Sequence, residues 1–294
     1  MAYAARKCGV WARAHPGLAM DSNRAAPRFP ATVLTQARSA LEATANRTAD
    51  LIRSLPDLHA PVPGSEWTVR EAAVHLVSLA GIYADIAGGM PSPIESMTRE
   101  ALGRQNARRL GDIPESDPEK VAGFLTEAVA GLLEATACRS GDQAVVFHAG
   151  VSLDLASLMC ISLGEHVLHG YDIARAVGAP WAIDPLHARL VLSGYGPCYG
   201  GWLNGEVTPD LTTSYGIELR GGDGFTVRFL EGGCHLEPWD SEAVDCTIAA
   251  DPVAFLLVQS GRMNQWEAIA LGLYSTKGSR PELGLTFMNL FVYP

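Results

Sequence analysis

The segment from Ile161 to Gly178, ISLGEHVLHGYDIARAVG, sets acids and imidazoles on a helix face that otherwise reads as apolar. At about 100° per residue, Glu165, His169 and Asp172 share a stripe with Leu158, Ile161 and Leu168. Ionisable side chains are costly to bury unless they are paired or bound to a metal. A divalent cation is the simplest compensation. Glu165 and His169 stand at i and i+4, which puts their Cβ atoms about 5 to 6 Å apart, a separation suited to one ion. A third candidate lies upstream, where His75 shares a stripe with Glu71, Leu79, Ile82 and Ile86. Two imidazoles and one carboxylate with an open fourth position make the donor set of a catalytic zinc site. Fe(II), Mn(II) and Ni(II) suit the same donors.

Other residues compete for these roles. His166 is the rival to Glu165, because it stands at i and i+3 to His169, but it lies about 100° around the helix from Glu165 and off the stripe, so the face argument favours Glu165. Asp172 reads as a carboxylate orienting an imidazole from behind, or as a contact for a polar ligand. Its alternative is a surface pair with Arg175. His148 has no partner at ligand spacing and reads as an exposed or turn histidine. Cys160, about 140° from Glu165 around the helix, stays outside the site.

Four helices are needed to position these groups. Helical spacing runs from Val33 to Leu55 and stops at the prolines of 56–63. Thr68-Val69-Arg70-Glu71 reads as a capping box opening a second helix that reaches Ala87. Residues 91–117 read as a surface connection with a short helical piece and a basic patch at Arg104, Arg108 and Arg109. Asp117-Pro118 opens a third helix extending to Ala137. AVVFH and VSLDL flank Ala149-Gly150 as a short hairpin or an extended lead into the fourth helix, which spans roughly Leu153 to Val177 with Gly178 as its cap. A bundle of these four would let His75 meet Glu165 and His169.

After a further helix opened by Asp184-Pro185, which joins two domains, the texture changes. From Tyr215, GIELRG, FTVRFL, CHLEPW and DCTIAA alternate as strands of an antiparallel sheet, with Gly221-Gly222-Asp223-Gly224 as a hairpin turn rather than a phosphate cradle. From Asp251 to Pro294 helical spacing returns. The expected class is α+β, with a helical bundle over 31–205, a smaller α+β domain over 206–294 and a disordered extension over 1–30, in which Met20 is an alternative start.

A net charge of −10 argues against a nucleic-acid surface, which needs clustered Lys and Arg. No apolar run reaches the roughly 18 residues of a membrane span, and Arg13, His15 and Pro16 interrupt the N-terminal run as no secretory signal does. The six cysteines are scattered without a CxxC pair, which suits a reduced cytoplasmic protein.

The segment EWTVREAAVHLV, followed downstream by GEHVLHGYDIARAVG, resembles the N-terminal domain of the mycothiol-dependent maleylpyruvate isomerase family, part of the wider DinB-like four-helix-bundle superfamily. VDCTIAADPVAFLLVQSGR with ALGLYSTKGSRPELGLTFMNLF is similar to the sterol-carrier-like C-terminal domain often joined to it. The likeness departs at Glu71, where relatives commonly carry Asp; this preserves the cap. The family's metal-binding positions match His75, Glu165 and His169, so the resemblance implies zinc or another divalent ion in the bundle. It also implies mycothiol as thiol cofactor or cosubstrate and a small electrophilic substrate. In such enzymes the thiol takes the ion's open position, loses its proton and adds to an unsaturated carbon. Rotation and elimination then give cis–trans isomerisation; a stable adduct makes an S-transferase instead, or the substrate is a larger specialised-metabolism intermediate. A non-catalytic, metal-stabilised ligand-binding protein is the remaining alternative, and it predicts a closed site with an apolar tunnel in 215–294. Arg262 and Arg280 could hold a substrate anion, but read first as surface arginines.

Overall fold

The computed structural model describes residues 32–207, 210–222, 224–239 and 244–293, and the extension expected at 1–30 lies outside them. Two compact units divide the described chain, one ending at Tyr195 and the other beginning at Gly196.

In the first unit, α1 (Thr32–Arg53) buries an alanine-rich face that includes Ala37, Leu41, Ala45, Ala49 and Ile52. Helix α2 (Val69–Ala87) starts at the expected capping box: the Thr68 amide donates to Glu71 Oε2 at 2.7 Å, and the Glu71 amide donates to Thr68 Oγ1 at 3.3 Å. These two bonds satisfy amides that a helix start leaves orphaned. Helix α3 (Arg99–Asp112) is a full helix rather than a short piece, capped by Thr98 and packed on α2. Asp117 caps α4 (Pro118–Ala135), and Asp154 caps α5 (Leu155–Ala176) through the Ser157 amide at 2.7 Å. Helices α1 and α2 each pack against both α4 and α5, which closes a four-helix bundle. The hairpin β1 (Ala144–Val146) and β2 (Ser152–Asp154) leads into α5.

Helix α6 (Pro185–Gly194) lies against α5, so α5 is covered on nearly every side. Glycine makes this crossing close. A Cβ built on Gly194 would stand 2.4 Å from the Cβ of Cys160 and 3.1 Å from the Ser157 carbonyl oxygen. Neither neighbour is the free end of a flexible chain. Gly194→Ala is therefore expected to force the helices apart, at about 1 to 3 kcal/mol, which lowers the unfolding temperature by roughly 2 to 12 °C. Calorimetry on the purified variant checks this, and an unchanged melting temperature would refute the close-crossing argument.

The second unit is built on a five-stranded sheet of β3 (Ser214–Leu219), β4 (Gly224–Leu230), β5 (Gly233–Pro238), β6 (Cys246–Ala250) and β7 (Tyr274–Lys277), in the order β5-β4-β3-β6-β7. Its pairings are antiparallel as expected, save that β3 and β6 run parallel, Tyr215 opposite Cys246. After the β3-β4-β5 meander the chain returns to the free edge of β3 in the same sense. Gly221 and Gly222 make the β3–β4 turn with φ of +107° and +106°, a region open to glycine at little cost. Between β6 and β7 lie α7 (Pro252–Gln259) and α8 (Gln265–Ala270). The tail is not wholly helical. Tyr274-Ser275-Thr276-Lys277 sits between Gly272 and Gly278 and joins the sheet, and Pro281–Leu285 and Phe287–Leu290 form 3-10 turns. Tyr215, Phe229, Phe255, Phe287 and Phe291 fill the core. Among the described residues no helix is long and apolar enough to cross a membrane.

Candidate metal centre

The capping box fixes where α2 begins and hence which of its faces looks inward. His75, two turns in, is 8% exposed. From the neighbouring α5, Glu165 and His169 project one turn apart, as their spacing requires. His75 Nε2 lies 3.6 Å from Glu165 Oε2, and His169 Nε2 lies 3.6 Å from the same oxygen. The rings of His75 and His169 meet nearly edge to face, with centroids 5.0 Å apart.

One donor atom from each of the three residues lies within 4.8 Å of the others. Donors about 2.1 Å from a shared tetrahedral ion stand about 3.4 Å apart. The two 3.6 Å separations need to close by only a few tenths of an ångström, and the two imidazole donors, within 4.8 Å of each other, by up to about 1.4 Å, which a small ring rotation supplies. Nitrogen and carboxylate oxygen are also the right donors for zinc and its divalent neighbours. The residues present therefore fit a metal ion.

Electrostatics points the same way. Burial alone would raise the Glu165 carboxyl, but hydrogen bonds from His169 and His75 outweigh it and hold the group well below the usual carboxylate range. Burial lowers the His75 imidazole, against the pull of Glu165. An ion would displace the Nε2 protons that the two imidazoles share with this carboxylate and take one charged oxygen and two ring nitrogens as ligands.

Behind this trio stands Asp172, 6% exposed, with its Oδ2 3.3 Å from His169 Nδ1. It faces the imidazole from inside the protein rather than sitting at the surface. The Arg175 guanidinium instead lies over the Tyr171 ring, 5.5 Å from its centroid. A carboxylate at Nδ1 would keep a proton there once an ion took the Nε2 lone pair on the side of Glu165 and His75.

His166 is buried at 1% exposure, apart from the donor trio, and its Nδ1 makes no hydrogen bond. Burial pushes its imidazole down to about 3. Arg262 donates to the Ser260 carbonyl, and Arg280 lies exposed 3.7 Å from Glu282, both in the second unit. Cys160 is buried in α5, and burial pushes its thiol up to about 12, so it is inert as a nucleophile.

Two neighbours were not expected from the sequence. The Trp67 ring lies 4.8 Å from that of His75 and 5.7 Å from that of His169, and so walls one side of the trio. Its signal was present: an aromatic just before the helix cap is a residue that packs back over the first turns. The second is His148, which is not exposed as its hairpin position suggested but 4% exposed. The hairpin tip folds inward, with the Ala149 amide donating to the Ile94 carbonyl at 2.8 Å. The His148 ring stacks on Phe147 at 3.8 Å, and its Nδ1 lies 2.7 Å from Ser92 Oγ.

Burial pushes His148 down to about 3, with Glu165 opposing and Arg109 adding to the shift. In the unfolded chain a histidine takes up a proton near pH 6.5. Stability from this group is thus complete above pH 6.5 and drains away as pH falls toward 3. At pH 5 the loss is about 2 kcal/mol. Urea unfolding at pH 7 and pH 5 should find a shallower fall for His148→Gln than for wild type, and equal falls would remove His148 as the cause.

Comparison with known proteins adds the domain types. Residues 41–174 match the mycothiol maleylpyruvate isomerase N-terminal domain, and residues 205–292 match the SCP-2 sterol transfer family. Residues 41–174 thus form a domain of the mycothiol maleylpyruvate isomerase N-terminal type, followed by a domain of the SCP-2 type. Two solved structures are similar to it. One is a mycothiol-dependent maleylpyruvate isomerase, with 12% identity, a TM-score of 0.49 and coverage of 85% of this chain and 93% of that one. The other is a histidine-to-alanine mutant of such an enzyme, with 11% identity, a TM-score of 0.53 and the same coverage. At that identity the second shows a shared fold. No curated protein sequence matches the chain. The family's N-terminal domain match spans all three donor residues and Asp172.

Proposed function

We propose that the chain is a metal-dependent, mycothiol-dependent enzyme that converts a small electrophilic, unsaturated substrate from cis to trans, as in maleylpyruvate isomerisation, with zinc as the ion. The reading rests above all on His75, Glu165 and His169 drawing their donor atoms within 4.8 Å of one another. When bound there, a divalent ion supplies the acidity that makes a thiol ionise at neutral pH. The chain's own residues do the rest. His75 and His169 offer neutral Nε2 lone pairs, Glu165 contributes one negative charge, and Asp172 holds the His169 proton at Nδ1. Trp67 shields the imidazoles on one side and helps to exclude water. The site is not sealed, because the Glu165 side chain keeps 27% of its exposure. That access favours catalysis over a closed, merely stabilising metal site. We also assign the enzyme to the cytoplasm, where scattered thiols stay reduced.

The test is to supply metal-loaded protein with mycothiol and maleylpyruvate and to follow both the cis–trans change and any thiol adduct by NMR. Turnover that requires mycothiol is expected, with the trans acid as product. Accumulation of a stable adduct would instead identify an S-transferase, and equal turnover without mycothiol would overturn the thiol mechanism.

A further inference from the structure

Helix α5 serves two faces. One carries Glu165 and His169, whereas Val167 lies about 200° around the helix from Glu165 and looks the other way, toward α1 and α6. A cavity of about 230 Å³ opens there, lined by Ala43, Thr44 and Arg47 from α1, by Val167 from α5, and by residues 181–184 and His187 at the entry to α6. Sites for drug-sized molecules run from about 300 to 1,000 Å³, so this one suits a metabolite of a few carbons.

Its polar groups are set in place by close packing. A Cβ built on Gly170 would stand 2.8 Å from Trp181 Cζ2 and 2.9 Å from Thr48 Oγ1, so the missing side chain is what lets the indole lie against α5. The Arg47 guanidinium carbon sits 3.7 Å from the centroid of that indole. Its Nη1 donates to the Ala182 carbonyl at 2.8 Å and its Nη2 to the Pro180 carbonyl at 3.4 Å. A guanidinium has five N–H donors, so two carbonyls leave three for a ligand. His187 Nδ1 lies 3.5 Å from Thr44 Oγ1, and among the described residues its Nε2, at the far end of the ring, has no hydrogen-bond partner. When the Thr44 hydroxyl donates to Nδ1, Nε2 carries the proton and is a further donor.

The charge balance follows from the same contacts. Asp184 is the acid of the lining, but its Oδ1 accepts the Leu186 amide at 2.8 Å as the cap of α6, where the positive end of the helix dipole offsets it. Burial lowers the His187 imidazole, with Asp184 opposing, so the ring is neutral at pH 7 and Arg47 supplies the positive charge. The cavity is rich in donors, and its one carboxylate is engaged. A cation would meet Arg47, and a polyol would lack acceptors for its hydroxyls.

We propose that this cavity is a binding site for a small carboxylate, its charged end held by Arg47 and His187 Nε2 and its short apolar body set against Val167 and Ile183. The guanidinium fork matches a carboxylate, and its stacking on Trp181 fixes it in advance. The site lies across α5 from the metal centre and needs neither an ion nor a thiol.

The probe is butyrate, with butyramide as its uncharged counterpart, titrated without added metal into the ¹⁵N-labelled full chain. The readout is the indole N–H signal of Trp181, assigned with Trp181→Phe. A shift that saturates in the millimolar range is expected for so small a ligand. Butyramide should bind about tenfold more weakly, and Arg47→Gln should cost butyrate about the same factor, the loss of one charge-assisted contact. Ala43→Phe fills the cavity from an exposed helix position without removing a polar group. It should abolish binding and leave the melting temperature unchanged. His75→Ala should bind butyrate as wild type does. Equal binding of the amide, wild-type affinity in Ala43→Phe or the absence of a saturable shift would overturn the proposal. So would a loss in His75→Ala, which would move the ligand to the metal centre. If Arg47→Gln loosens the segment it holds, Ala43→Phe decides. A protein that never turns over with mycothiol would sink the proposed reaction and leave this inference standing.

Discussion

His75→Ala is expected to lose its metal and at least about a thousandfold in turnover, the few kcal/mol that a Lewis-acid centre contributes to a transition state. The reason is topological. Glu165 and His169 come from one helix, one turn apart, and alone make a two-donor site open to water. In the proposed site His75 is the donor from α2, the residue through which an ion would tie α2 to α5. The fold itself should survive. Burial already disfavours the charged form of this imidazole, so the apo bundle gives up little when it goes. A metal held a hundredfold above its Kd adds about 2.7 kcal/mol of stability. Chelation should therefore lower the wild-type melting temperature and leave that of His75→Ala where it was. Elemental analysis after dialysis gives the metal content directly. One equivalent of ion retained by the variant, or an equal response to the chelator, would remove His75 from the site.

How much of this the residues announce depends on distance along the chain. The Thr68–Glu71 box and the Asp-Pro starts at Asp117, Asp184 and Asp251 act over a few residues, and all four helices begin where they indicate. The polar stripe of α5 is equally local, because helix geometry alone puts Glu165, His169 and Asp172 in line. The meeting with His75 is different. It depends on how α2 is set against α5, and no spacing within either helix encodes that; a four-helix bundle only allows the meeting, and the family resemblance points to the same three residues. Periodicity names a buried face without naming what covers it. Hence the residues alone do not show Trp67 as a wall of the site, nor that His148 is buried and Arg109 partly covered. In the second unit the alternating strands were plain, but β7 was hidden because a four-residue edge strand is too short to show its period. The parallel β3–β6 pair is a fact of chain routing, which strand texture does not carry.

Asp172→Ala should weaken metal binding by about ten- to a hundredfold, the usual cost of removing a group that orients a liganding imidazole. Without the carboxylate 3.3 Å from Nδ1, the His169 proton is free to move to Nε2 and the ring to turn, and in either state the lone pair no longer faces Glu165. Asp172→Asn should do less harm, because an amide oxygen can still accept from Nδ1–H; what it lacks is the charge that strengthens the bond. The apo protein tells this role apart from a structural one. Alanine is the best helix former, and the change also removes a buried acid from α5, so the metal-free melting temperature should hold or rise. Competition against a chromophoric chelator measures the affinity, and calorimetry of the stripped protein measures the fold. Should affinity stay at the wild-type level, or should the apo protein lose stability in step with the metal, Asp172 braces the helix rather than orienting His169. The ordering wild type, Asn, Ala in affinity, with no such ordering in apo stability, is what a carboxylate acting through an imidazole requires.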